Sequence, residues 1–206
     1  MDKKYKVEYP IRGGSEENIW IFNNFFNDKE FKFIMDNVNK FQLHKDPRSK
    51  DRLATCIDIK KYKKFYKTIY DNDKLRSIIN DIKNINYEMK ELPSYPIEYR
   101  KYFTGSKGMM WHIDTSLFIP DAFEIVLTLD NSSDSCFQWI DNNGALQSIL
   151  PKKNDLVIVR PQTVQHRVTP INVGERTILK FVVEFTENNN NTKKIEFFNE
   201  IDKCMF

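Results

Sequence analysis

Histidine is scarce in this chain: three in 206 residues, at His44, His112 and His166. Any site that needs an imidazole must be built from those positions. Cysteine is as rare. Cys56, Cys136 and Cys204 are odd in number and far apart, with no Cys-x-x-Cys pair, which argues against a disulfide framework or a zinc knuckle and fits a reducing compartment. Also missing is any apolar run near the roughly 20 residues that cross a bilayer. The opening Met-Asp-Lys-Lys-Tyr-Lys has no secretory signal character. The expectation is a soluble protein, cytoplasmic or otherwise intracellular, without a membrane partner. Strong charge of one sign is absent too. The formal net charge is +3, mildly basic in the first half and slightly acidic in the second. Most lysines therefore read as solvated helix faces, with attraction for an acidic partner the weaker alternative, and the small net charge speaks against a nucleic-acid-binding domain.

Aromatic residues, by contrast, are plentiful. With 16 Phe and 9 Tyr, and 40% hydrophobic residues, the chain has the material for a packed, β-rich interior. Its length suits one domain. Asn18 to Phe26 reads as a short strand. A helix follows, capped by Asn27 or Asp28, with Glu30 in its first turn and Phe31, Ile34, Met35, Val38 and Phe41 at helical spacing. His44 to Arg52 is charged, holds Pro47 and has no period, so it reads as a loop in which His44 is exposed; Leu53 to Ile59 reads as a strand. Lys60 to Glu91 has a helical stripe through Phe65, Ile69, Leu75, Ile78, Ile79, Ile82 and Ile85, in two pieces broken near Asp71 to Asp73.

Pro93 and Pro96 then end helix formation, and the rest reads as strands. These fall near Ile97 to Phe103, Met109 to Thr115, Phe123 to Leu129, Cys136 to Ile140, Leu146 to Ile149, Asp155 to Arg160, Gln165 to Thr169 and Thr177 to Phe185. Eight short strands with polar turns predict a jelly roll, so the fold class is mainly β with an α annex. The organisation expected is one domain over residues 1–206: support and lid over 1–92, the jelly-roll core over 93–186, and a tail over 187–206. The tail starts flexible, and Ile195 to Phe198 is a segment that docks back if any part of it does.

Met109 to Asp114, Met-Met-Trp-His-Ile-Asp, organises the rest. On a strand, positions i and i+2 share a face, so His112 and Asp114 can grip one ion. Adding His166 gives two imidazoles and a carboxylate with open positions left over, a set that suits non-haem Fe(II). Arg176 follows His166 by ten residues, across a connection marked by Pro170 and Gly174 that brings both to one end of the roll. Trp111 is expected to pack in the core, with the iron site or the substrate cleft as the alternative. Strand alternation turns Arg167 away from the face of His166.

With these residues in hand, the sequence resembles the Fe(II)- and 2-oxoglutarate-dependent dioxygenases, in particular their prolyl 4-hydroxylase-like branch, over most of its length. The resemblance implies that His112, Asp114 and His166 bind Fe(II) and that Arg176 pairs with the far carboxylate of 2-oxoglutarate. Pro96-Ile-Glu-Tyr-Arg-Lys-Tyr-Phe-Thr-Gly105 looks like the first barrel strand, whose Tyr hydrogen-bonds the same carboxylate; that implies Tyr102, since Tyr99 has the opposite parity. It also implies either a lid at His44 to Cys56, whose basic residues help choose the substrate, or a plain surface loop there. Asn131-Ser-Ser-Asp-Ser-Cys136 departs from the Gly-Gly turn usual in relatives, and the spacing from Gly105 to His112 is slightly long.

The implied activity uses Fe(II), 2-oxoglutarate and O2, with ascorbate as a candidate addition. It hydroxylates a prolyl, or next a lysyl, side chain of a peptide or protein and releases succinate and CO2. A free amino acid or small metabolite is the alternative substrate, and a metal-binding jelly-roll module without turnover is the alternative outside enzymes. Base demethylases of this superfamily carry a second Arg six residues past the first; Val182 stands there, which argues against nucleic acid as substrate.

Overall fold

The computed structural model describes residues 18–82, 87–115 and 122–187. In chain order these form β1 (Ile19–Phe22), α1 (Asp28–Val38), β2 (His44–Lys45), β3 (Arg52–Cys56), α2 (Lys63–Tyr70), α3 (Asp73–Ile82) and β4 (Tyr87–Met89). Then come β5 (Glu98–Phe103), β6 (Met109–His112), β7 (Phe123–Asn131), β8 (Phe137–Ile140), β9 (Leu146–Ile149), β10 (Leu156–Val159), β11 (His166–Val168), β12 (Glu175–Val183) and β13 (Phe185–Glu187). The strands β5 to β12 build the expected jelly roll. Four of them run in the order β10-β7-β12-β5 within a seven-stranded antiparallel sheet extended by β1 on one side and by β3 and β2 on the other; the remaining four form the facing sheet β6-β11-β8-β9. None of the helices among the described residues is long and apolar enough to cross a membrane.

Residue parity on the large sheet divides its labour. On β12, Leu179, Phe181 and Val183 face the helices and are fully buried, while Arg176, Ile178 and Lys180 line a cavity between the two sheets. Tyr99 belongs to the helix-side core and Tyr102 to the cavity, as their opposite parity requires. The helices close over the outer face through Ile34, Phe65, Leu75 and Ile79, all withdrawn from water, each worth about 1.5–3 kcal/mol in transfer free energy. Two buried tyrosines tie this layer down with their polar ends. Tyr66 Oη donates to Ile57 O (2.6 Å) and accepts from Ile97 N (2.7 Å), and Tyr70 Oη donates to Val182 O (2.8 Å).

Helix α1 starts where the sequence places it. The Asn27 side chain accepts from Lys29 N and Glu30 N, and Glu30 reaches back to Asn27 N, a full capping box. The break between α2 and α3 falls at Asp71–Asn72, where Asn72 Oδ1 caps Leu75 N and its Nδ2 reaches Glu30 Oε1, each at 3.0 Å.

Three expectations need correction. The helix does not continue to Glu91: Tyr87–Met89 is a strand paired with β13, Met89 lying opposite Phe185. Its partner is far along the chain, so local periodicity carried no sign of it. The segment from His44 to Arg52 is a hairpin rather than a loop, with His44 opposite Ala54 and Arg52 already inside β3, whose strand stops at Cys56 short of Ile59. Its inward residues are charged, so no apolar alternation announced it. Strand β6 ends at His112 and carries a bulge, since His112 and Met109 lie opposite His166 and Val168 with one extra residue between them. Ile85, the segment Ile195 to Phe198 and Cys204 lie outside the described residues; Cys56 and Cys136 form no disulfide among the described residues.

Asn154 shows how the layers are joined. It adopts a left-handed backbone (φ 65°) just before β10; its side chain accepts from Phe26 N (3.1 Å) and donates to Phe26 O (2.7 Å), and its carbonyl accepts from Phe25 N (2.8 Å). Replacing it by Ala strands a buried amide and carbonyl and strains the backbone, so Asn154→Ala is expected to lower stability by about 2–3 kcal/mol. Asn154→Gly, which relieves only the strain, should fall between the two in urea unfolding. Three superimposable curves would refute the account.

Candidate active site

The bulge in β6 turns both Met109 and His112 into the cavity, and the chain then leaves the sheet before Asp114. His112 and Asp114 therefore meet through a strand end and a turn rather than through i, i+2 alternation. Gln162 N donates to Asp114 O (2.8 Å) and pins that turn to the segment before β11. His166 opens β11 directly opposite His112. The imidazole centroids are 4.3 Å apart. Asp114 stands between them, its Oδ1 3.2 Å from His112 Nε2 and its Oδ2 3.3 Å from His166 Nε2.

The outer nitrogens fix the tautomers. His112 Nδ1 lies 2.7 Å from Met110 O and His166 Nδ1 3.1 Å from Val164 O. A carbonyl only accepts, so each Nδ1 carries the proton and each Nε2 turns a lone pair toward the centre, the orientation a metal ligand needs. His112 Nε2 is buried and satisfies no hydrogen bond of its own. One ligand atom from each of the three residues lies within 4.8 Å of the others, so the group could hold one metal ion. Burial alone would push the Asp114 carboxyl up, but the two imidazoles, with Lys180 behind them, hold it well below the usual range. The Asp114 carboxylate beside it in turn raises His112.

Arg176 lies deeper in the same cavity. It is 5% exposed, its Nε has no hydrogen-bond partner, and it makes no ion pair among the described residues. Burial pulls its guanidinium below the ordinary arginine value, yet an arginine stays charged in a protein. Tyr102 lies directly opposite it on β5. Phe137, Val157, Val159, Val168 and Ile178 supply apolar wall between this end and the histidines.

All five expected site residues therefore face one cavity. Sequence reasoning missed Arg100, Glu124 and Lys180, which line it as well. Parity was the available signal: Glu98, Arg100 and Tyr102 alternate on one face of β5, as do Arg176 and Lys180 on β12. Each of the missed cations is neutralised at home, Arg100 by Glu98 (2.6 Å) and Lys180 by Glu124 (2.6 Å). Trp111 meets neither expectation: it lines no part of the cavity and joins neither apolar core, and the guanidinium of Arg167 lies 4.7 Å from its ring centroid. Arg167 does face away from His166, donating to Gln138 Oε1 (2.8 Å). His44 is exposed, as expected.

No family model and no curated protein matches the sequence. Solved structures match over most of the chain. One is an oxidoreductase of the 2OG-Fe(II) oxygenase family from Burkholderia pseudomallei, 13% identical over 87% of this chain and 93% of that one, with a TM-score of 0.66. A second is a prolyl hydroxylase from Trichoplax adhaerens in complex with a hypoxia inducible factor oxygen degradation domain peptide fragment, 15% identical over 82% and 84%, with a TM-score of 0.63. A third is HygX from Streptomyces hygroscopicus with nickel, 2-oxoglutarate and hygromycin B bound, 10% identical over 84% of each chain, with a TM-score of 0.61. The fold is the jelly roll of the 2-oxoglutarate/Fe(II) oxygenases. At these identities the likeness is one of fold.

Glu98 anchors the charged side of the site and gives it a pH dependence. Burial would raise its carboxyl, but Arg100 first, then hydrogen bonds from Arg48 and Tyr95, bring it from 4.5 to about 2. A depressed folded-state value stabilises the protein above the unfolded value and is lost as pH falls through the folded one. The stability gap between wild type and Glu98→Gln is therefore expected to be about 3 kcal/mol near neutrality and to shrink between pH 4.5 and about 2. A gap independent of pH in urea unfolding would overturn this.

Proposed function

We propose that this protein is an Fe(II)- and 2-oxoglutarate-dependent dioxygenase that hydroxylates an amino-acid side chain of a peptide or protein, prolyl first and lysyl next. The observation that carries the reading is the pairing, in one cavity, of a two-histidine, one-carboxylate cluster with a buried guanidinium that has no counter-ion among the described residues. Charge balance supports it. Glu98 and Arg100 cancel, as do Glu124 and Lys180, which leaves the negative Asp114 and the positive Arg176. A divalent cation brings the cavity to two positive charges, and a dicarboxylate dianion returns it to neutrality. Buried charge is tolerable only when it is compensated in this way.

In this reading His112, Asp114 and His166 hold Fe(II), and their backbone-anchored Nδ1 protons keep both rings in the binding tautomer. Arg176 takes the far carboxylate of 2-oxoglutarate with its planar fork, and Tyr102 donates to the same group. When bound, the iron, the keto acid and O2 supply the oxidation that adds a hydroxyl to the substrate and releases succinate and CO2. In this reading the apolar wall limits how much water accompanies the bound groups.

Exposed apolar side chains at the metal end favour a peptide or protein as substrate. Met110 and Ile113, 83% and 54% exposed, flank His112 in sequence and offer a surface to a prolyl ring and its neighbours. A small metabolite is the second reading, since HygX has the same fold and was solved with hygromycin B. The assay supplies Fe(II), 2-oxoglutarate and ascorbate to keep the iron ferrous, with peptide libraries containing Pro and Lys and with free amino acids. Mass spectrometry then looks for a product one oxygen atom heavier. His112→Ala is expected to abolish succinate formation, and Arg176→Gln to raise the half-saturating 2-oxoglutarate concentration about 100-fold while leaving metal binding intact, as loss of a buried ionic partner of about 2.7 kcal/mol requires. Wild-type protein that binds metal but never decarboxylates 2-oxoglutarate would instead be a binding module.

A further inference from the structure

The hairpin formed by β2 and β3 touches a cavity-lining residue, Tyr102, through one side chain. Arg52 lies opposite Tyr102, Tyr102 opposite Arg176, and Arg176 opposite Asn131, so a single row of residues crosses β3, β5, β12 and β7. Arg52 Nη1 donates to Tyr102 Oη at 3.4 Å, and its guanidinium carbon stands 6.0 Å from the Tyr102 ring centroid. On its other side Arg52 Nε meets Asp46 Oδ2 at 2.6 Å. Asp46 is itself buried and also holds Arg48, which bridges to Glu98 at 2.8 Å. Glu98 in turn holds Arg100, and Arg100 is the second guanidinium that hydrogen-bonds Tyr102.

This chain of groups contains three guanidiniums and two carboxylates, and two of the guanidiniums, Arg52 and Arg100, meet at the Tyr102 hydroxyl. A guanidinium has donors and no acceptor. Tyr102 therefore accepts from Arg52 and Arg100, and its own hydroxyl proton is left to donate elsewhere, on the cavity side where Arg176 lies. We propose that Arg52 is a positioning residue of the 2-oxoglutarate site, holding the Tyr102 hydroxyl as a donor to the carboxylate that Arg176 binds and so making the hairpin part of that site. The inference rests on the function proposed above and adds to it a coupling: whatever moves the hairpin changes the affinity for 2-oxoglutarate.

The same geometry sets a pH dependence. Burial would raise the Tyr102 phenol, but Arg100 and then Arg52 more than offset it and bring it below its ordinary value. The charged groups around it are Arg100 on its own strand, Arg52 on β3 and Arg176 on β12, with Asp46 and Glu98 as counter-charges one step further out. Further along β12 Lys180 is paired with Glu124, and Cys136 acts on Arg176. A dianionic ligand needs the phenol protonated, so affinity is full below the Tyr102 value and falls above it. Removing a neighbouring cation raises that value and moves the fall to higher pH.

The test titrates 2-oxoglutarate into the full chain loaded with Mn(II), a redox-silent stand-in, from pH 7 to 10 by calorimetry. Arg52→Met is expected to bind about 10-fold more weakly at pH 7, the equivalent of one charge-assisted hydrogen bond, and to lose affinity at higher pH than wild type. Arg52→Lys should lie between them. Tyr102→Phe should show no alkaline fall, and Arg52→Met should weaken binding less in that background than in wild type, because the two residues act in series. A purely structural Arg52 gives a lower melting temperature, an equal loss in both backgrounds and an unmoved alkaline limb, and that result would overturn the inference. Wild-type protein that takes up Mn(II) but not 2-oxoglutarate would remove the parent reading as well, whereas equal binding by wild type and Arg52→Met removes only the role of Arg52.

Discussion

A guanidinium sealed from water, without a counter-ion among the described residues, is the constraint around which this cavity is arranged. Arg176 cannot escape its burial by losing a proton, as a lysine can, and its Nε has no partner among the described residues. The apolar side chains on the opposite face of the same strand offset what that position costs. Leu179, Phe181 and Val183 hold β12 against the helices with no exposure, so the strand cannot move to relieve Arg176. A ligand of opposite charge is the remaining way to satisfy it. Under the proposed function the fold holds Arg176 in place before an anion arrives, and little reorganisation is left to oppose binding.

The other cations of the cavity show what an arginine or lysine looks like when the protein completes it. Arg100 and Lys180 each have a carboxylate at 2.6 Å. Those pairs carry no net charge into the site, and their partners sit on the sheet itself. Arg176 differs only in lacking such a partner, and the contrast between neighbours on one sheet face is more informative than the burial of any one of them. The metal end has the opposite sign: Asp114 faces two neutral imidazoles whose outer nitrogens are occupied by backbone carbonyls. Charges of opposite sign at the two ends of one cavity suit a ligand that chelates a cation at one end and presents a carboxylate at the other.

Much of this was legible in the sequence, because it depends on two simple regularities. Period-two alternation separated Tyr102 from Tyr99, and the turn chemistry of Pro170 and Gly174 brought Arg176 under His166. At Gly174 a Cβ would stand 2.3 Å from Ser132 O, with φ at 75°, so the tight connection has room only for glycine. Where the reading failed, the stabilising interaction was not apolar or not local. The hairpin of β2 and β3 is held inward by Asp46, Arg48 and Arg52, residues that read as loop because their burial depends on one another and on Glu98. Strand β4 is defined by a partner almost a hundred residues away. Alternation was also the wrong reason for placing His112 beside Asp114. A bulge and a strand end achieve it, and a bulge adds one residue without leaving a periodic trace.

That last difference matters for how the site is stabilised. Two ligands on a regular strand would be fixed by the sheet ladder alone. Here Asp114 follows the last residue of β6 by two and is held by Gln162 N, four residues before His166, so the carboxylate is anchored to the segment that delivers the second histidine. The bulge also leaves Trp111 on the outer face, where Arg167 covers it, and this pins the strand from behind at the position just before His112. The three donor residues are therefore set by contacts on both sides of a four-stranded sheet whose own strands are only three or four residues long. Short strands contribute few ladder hydrogen bonds, so the geometry of the cluster depends on these local pins more than on the extent of the sheet, whereas the anion end depends on the nine-residue strands β7 and β12. The rigid end of the cavity is the one that holds the Arg176 charge, and the lightly built end is the one that carries the two histidines and Asp114.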